Sequence, residues 1–185
     1  MSKAVSEYGP LQGLIGRWSG NHGVDLAPEE DCPERNVYHE TIEFNPVQPL
    51  DNAGEQFLAT LQYRQLVIRT RDSKPIHDQS GYWIWEKDTN TIMHSFCIPR
   101  GLALVAGGTC NNMDGRILIN VKAEKDSSRW GIVQSPFLQE KAVTRAFEQQ
   151  MILQGDKLIY RQTTDLFIYD KKFEHTDDSV LYRLL

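Results

Sequence analysis

Three short stretches hold most of the residues whose types and spacing suit chemistry. His77 opens the run His77-Asp78-Gln79-Ser80-Gly81-Tyr82-Trp83. Strand alternation puts His77, Gln79, Gly81 and Trp83 on one face, where a neutral imidazole can orient or donate to a bound ligand. Gly81 on that face would leave room for the ligand. Arg100 stands in Ile98-Pro99-Arg100-Gly101, a turn whose guanidinium can clasp an anionic head group. His175 follows the threonine-bearing segment Gln162-Thr163-Thr164-Asp165. It is either a ligand or a surface histidine. His94 shares a face with Phe96 and Ile98 and reads as a core or surface group, as do His22 and His39.

Several chemistries are excluded on pattern. The five histidines and three cysteines (Cys32, Cys97, Cys110) show no zinc spacing. CxxC, HExxH, the GxSxG elbow and a phosphate-binding glycine loop are all missing. The cysteines read as reduced thiols, although a Cys97–Cys110 pair is conceivable. Glu29-Glu30-Asp31 and Asp177-Asp178 read as solvated faces without EF-hand spacing.

Strands must position these groups. Tyr38, Ile42 and Phe44 alternate with His39, Thr41 and Glu43, and Phe57, Ala59, Leu61 and Tyr63 alternate with Leu58, Thr60 and Gln62. The apolar phase then moves to Leu66 and Ile68, which predicts a bulge near Arg64 or Gln65. Ile92 to Ile98, Ile117 to Val121, Val143 to Leu153 and Leu158 to Ile168 repeat the period of two. Turn sequences at 87–90, 112–115 and 154–157 join the runs. The predicted fold is all-β: a closed antiparallel meander barrel of about ten strands, calycin- or lipocalin-like, over residues 1–185 as one domain with 1–13 as a lead-in. Helical signals occur only at Pro10–Ile15 and at Thr176–Leu181, where Thr176 would cap. Ala27–Glu34 and Asn45–Glu55 are expected as surface loops, the first near the barrel mouth. Trp18 is expected to pack the closed end.

A barrel of this size can hold one small ligand in a mostly apolar cavity with a few placed polar groups. Composition narrows the partners. The chain of 185 residues has 20 basic and 25 acidic side chains, a net charge of −5, and a pI of about 5.5. Neither nucleic acid nor an anionic membrane is expected to bind through bulk charge. No apolar run approaches a bilayer span, and the start lacks the apolar core of a secretory signal, so a cytoplasmic location is expected. The oligomeric state is left open, a homodimer included.

Gly16-Arg17-Trp18-Ser19-Gly20-Asn21-His22-Gly23, the H-x-x-S-G-Y-W run at His77 and a histidine near the end at His175 occur together in this order. In this the chain resembles the nitrobindin family of haem-binding β-barrels, over roughly Leu14 to Leu184. The resemblance implies a ten-stranded barrel with haem b near one open end. It implies His175 as the iron ligand and His77 beside the haem; alternation adds Gln79 on the His77 face and Ile98 on the face of Phe96, and Arg100, a cation foreign to the family pattern, is placed to meet a propionate. It also implies ferric chemistry with nitric oxide, or isomerisation of peroxynitrite to nitrate. The chain departs from the family at His22, where the glycine motif has its last glycine, with Gly23 one position later. It also departs in its acidic loop from Asp25 to Glu34, and at Cys97–Gly101. The competing expectation is a non-enzymatic carrier or sensor of a fatty acid or another small apolar anion, held by Arg100.

Overall fold

The computed structural model describes residues 7–48, 54 and 56–184; the start of the lead-in and most of 49–55 lie outside them. Among these residues the alternation seen in the sequence becomes eleven strands in a closed ring, one more than the ten expected because of the short strand Gly131–Gln134. They are β1 (Gly16–Ala27), β2 (Glu34–Val47), β3 (Leu58–Arg69), β4 (Pro75–Glu86), β5 (Thr91–Ile98), β6 (Leu102–Met113), β7 (Arg116–Lys125), β8 (Gly131–Gln134), β9 (Ala142–Gln154), β10 (Lys157–Ile168) and β11 (Lys171–Arg183). Neighbours pair antiparallel, and β1 closes on β11. Closure removes the free edges that a long meander would otherwise expose. The short β8 departs from the meander. It wedges in beside β6 and pairs parallel with the end of β7 at Glu124 and Lys125.

A 3-10 turn over Gly9–Leu14 plugs one end and buries Leu11 and Leu14. Trp18 is fully buried there; its indole N–H donates to the Leu14 carbonyl at 2.7 Å, and the Arg183 guanidinium lies 4.3 Å from its ring. Phe44, Leu61, Trp83, Ile92 and Leu158 fill the layer above. The opposite half of the barrel is open.

Several local expectations change. Thr176–Leu181 is strand, because β11 finds partners on both sides, in β1 and β10. Six residues of α-helix, α1 (Pro136–Lys141), appear instead, with the Ser135 side chain accepting from the Leu138 N–H. β2 runs through Asn45 to Val47, inside what reads as a loop. No bulge occurs at Arg64 or Gln65: β3 keeps its phase, and Gln65 and Val67 point inward with Tyr63. The bulge in β9 falls instead at Arg145, so that Thr144 and Phe147 are buried but Val143 leaves the phase. The three cysteines are free, with Cys97 exposed and Cys110 buried.

Two glycines have definite steric jobs. β1 holds one extra residue between Gly20 and Gly23 relative to both neighbouring strands. The displaced glycine motif is thus absorbed as a bulge. A Cβ on Gly23 would sit 2.0 Å from the Tyr38 ring. Gly81 does not make room for a ligand. A Cβ there would meet the Ser95 carbonyl oxygen at 2.0 Å and the Phe96 Cα at 2.7 Å, both backbone atoms of β5. Gly81→Ala must therefore push β4 from β5, and a stability loss of about 3 kcal/mol is expected. A thermal melt unchanged by the substitution would show that the space belongs to a ligand after all.

Candidate functional site

The open half of the barrel encloses a cavity of about 360 Å³. That volume suits a site for a small organic ligand. Its walls are apolar where Phe96, Ile98, Leu102, Leu104, Phe147 and Leu166 face inward. The five residues singled out by the sequence, His77, Gln79, Ile98, Arg100 and His175, all line it. They arrive from three places: β4, the β5 end with its turn into β6, and β11. Arg100 is exposed and forms no ion pair among the described residues. Its neighbour at the mouth, Arg69, is already engaged by Asp72 at 2.7 Å and Glu34 at 3.6 Å. The segment Ala27–Glu34 does border the mouth: Ala27, Pro28 and Glu34 line the cavity.

His77 and Gln79 begin a directed chain of hydrogen bonds. His77 Nε2 lies 3.1 Å from the Gln79 carboxamide oxygen, which can only accept, so Nε2 carries the proton. The Gln79 amide donates to the Tyr63 hydroxyl. That hydroxyl in turn donates to His94 Nε2 at 2.7 Å. Burial holds His77 below the ordinary histidine value, against the Gln79 bond and nearby carboxylates. The ring is neutral with its one proton committed to Gln79. It therefore offers a cavity ligand an acceptor, Nδ1, and not an N–H.

His94 is not a ligand. It stacks on Trp83 at 3.9 Å with the rings 10° apart and is 1% exposed. Burial lowers its pKa to about 3. Gln149 opposes that shift through its side chain, although neither His94 Nδ1 nor Gln149 Oε1 makes a hydrogen bond of ordinary geometry among the described residues.

His175 sits among carboxylates. Its Nε2 is 2.6 Å from Asp25 Oδ1 and 3.9 Å from Asp177 Oδ1. Burial works against its charge, but the Asp25 hydrogen bond and the charges of Asp177 and Asp25 prevail and raise its pKa. Asp177 is raised to about 6, by burial first and then by Asp25, Glu40 and Asp178, with His175 opposing. Asn36 Nδ2 donates to the other Asp25 oxygen at 3.2 Å and fixes the carboxylate.

Deeper in the barrel lies Glu40, 1% exposed. It accepts from the Tyr160 hydroxyl at 2.9 Å and from Gln65 Nε2 at 2.7 Å. Burial raises its pKa in spite of these bonds. Sequence reasoning offers Asp177 as a partner for the second ring nitrogen of His175 but misses Asp25, Asn36, Glu40 and Gln65 as site residues. Parity would have found two of these: Glu40 keeps phase with Tyr38 and Ile42, and Gln65 with Tyr63, as Asp177 does with His175 and Leu181.

The residues present suit a haem. An imidazole stands on the wall of a mostly apolar cavity, and a guanidinium without an ion pair among the described residues lines the same cavity. Asp25 would have to yield Nε2 for that nitrogen to reach iron, or remain as the orienting carboxylate behind the ring if Nδ1 were the donor.

Comparison with known proteins agrees with this site. No curated protein matches the chain significantly. A solved structure, the crystal structure of Rv2717c from M. tuberculosis, superposes with a TM-score of 0.71 at 20% identity, covering 95% of this chain and 98% of that one. Identity that low speaks to the fold alone. No helix among the described residues is long and apolar enough to cross a membrane. The model of one family, the THAP4-like, heme-binding beta-barrel domain, matches residues 7–183. Spanning nearly the whole chain, that match, with haem as the family's cofactor, means that this protein belongs to the THAP4-like haem-binding β-barrel family.

Proposed function

We propose that the barrel binds haem b with His175 as the axial ligand, and that in the ferric state it binds nitric oxide or isomerises peroxynitrite to nitrate. The reading is carried by one observation: in a haem-binding family, the imidazole of His175 stands on the wall of the barrel's apolar cavity. When bound, haem would supply the iron centre at which those small oxidants react. The chain's own residues supply the rest. Asp25, held by Asn36, orients the His175 ring. Ile98 and Phe96 keep one wall apolar and shed water. Arg100 meets a propionate at the mouth. Gln79 fixes the His77 ring and its tautomer, and with it the acceptor turned toward a bound molecule.

A hemin titration of the purified protein tests the proposal. It should saturate at one equivalent with an intense visible band, and that band should shift when nitric oxide meets the ferric form. Faster decay of peroxynitrite with the loaded protein would separate isomerase from simple binder. Absence of a saturable band overturns the haem reading. Uptake of a fatty acid in its place would favour the carrier, for which the unpaired Arg100 is the supporting feature.

A further inference from the structure

Two carboxylates face each other across the β1–β11 ladder. Asp25 and Asp177 are direct cross-strand partners. Like charges in that position destabilise a sheet. Neither forms an ion pair with a lysine or arginine among the described residues; their shared counter-charge is the His175 imidazole. One imidazolium neutralises at most one of the two. The three side chains offer donor atoms that all lie within 4.8 Å of one another. Asp25 is 8% exposed, and all three residues border the cavity, so water can complete a coordination shell. Asn36 adds an independent feature. It is 4% exposed, its Nδ2 already touches Asp25, and its Oδ1 is buried without a partner. That amide anchors the Asp25 carboxylate from β2 and keeps it aimed at the cluster.

We propose that Asp25, His175 and Asp177 form a binding site for a free divalent cation of the zinc, cobalt, manganese or ferrous class, and that this cation and haem iron compete for the His175 imidazole. One nitrogen and two carboxylate oxygens, with open positions on the cavity side, make a donor set that these ions accept. Bonds of about 2.0–2.2 Å would need side-chain shifts of about an ångström from the present spacing. Asp25 would move from hydrogen-bond partner of the ring to co-ligand, and Asn36 would hold it from behind. The cation site stands without the haem reading; only the competition rests on His175 being the haem ligand.

Cobalt(II) added to the haem-free protein reads the site directly, through its visible absorption and by calorimetry. Saturable binding of one equivalent is expected, weakened at least tenfold in Asp177→Asn and in Asp25→Asn, with melting temperature as the check on folding. No saturable uptake overturns the site, as does equal affinity in both folded variants. Hemin added to the cobalt form should then release the metal. Hemin uptake with cobalt retained overturns the competition, and failure of hemin to bind at all counts against the haem reading while the cobalt titration still decides the cation site.

Discussion

His175→Ala is expected to weaken hemin binding at least 100-fold, and His175→Gln by as much. Loss of a group that merely supports a metal ligand costs roughly 10–100-fold in affinity, so loss of the ligand itself should cost no less. A factor of 100 is about 2.7 kcal/mol. The two variants differ in what else they disturb. Both variants remove the counter-charge between Asp25 and Asp177, but alanine also removes the hydrogen bond to Asp25, so it should lower the melting temperature more. Glutamine can still donate a hydrogen bond to Asp25 but cannot serve as a haem ligand. Comparable hemin affinities in wild type and His175→Gln, with the barrel intact, would remove His175 from the ligand role. Hemin lost from both variants at once, with the glutamine protein still folded, would separate ligation from folding.

The architecture was legible because its forces leave a period in the chain. Each strand buries one face, so Ile92, His94 and Phe96, or Ile119 and Val121, declare their direction without tertiary knowledge. The turns at 87–90 and 154–157 declare themselves by composition. What escaped was polar and inside. Gln65 occupies an inward position in perfect register, yet a polar residue there reads as a phase break, and a bulge was expected where β3 is regular. Glu40 escaped for the same reason. Its burial is tolerable because groups distant in sequence, Ser179, Gln65 and Tyr160, stabilise its carboxylate. Thr176-Asp177-Asp178 has the composition of a helix cap, and local propensity cannot see that β1 and β10 claim both edges of that segment. Reading it as helix hid the one fact that matters for the site: His175 and Asp177 lie on the same inward face. The excursion through β8 and α1 carries a capping serine and a proline, but six residues of helix are too few to show a period.

His94 should make the barrel acid-sensitive in a way one substitution exposes. Its ring is buried between Trp83 and Tyr63, and its pKa falls to about 3 from an ordinary 6.5. A histidine held neutral in the fold takes up its proton in the unfolded chain first. Stability through His94 is therefore complete above pH 6.5 and is lost as pH falls toward 3, at up to about 1.4 kcal/mol per pH unit. Other groups titrate in the same range with both signs. Buried His77 adds to the acid loss, whereas Glu40 and Asp177, both raised, favour the folded state as they protonate. The wild-type curve alone would confound them, but the difference between wild type and His94→Gln removes their shared contribution. Glutamine can still accept from the Tyr63 hydroxyl, though it cannot stack on Trp83 as the imidazole does. At pH 7.5 the variant should be the less stable protein by denaturant unfolding. Between pH 6 and pH 4 the gap should close by about 1.4 kcal/mol per unit, and the variant should end as the more acid-resistant of the two. Parallel curves across that interval would mean that His94 takes up its proton equally well folded and unfolded, and that the chain from His77 through Gln79 and Tyr63 does not end on a neutral ring.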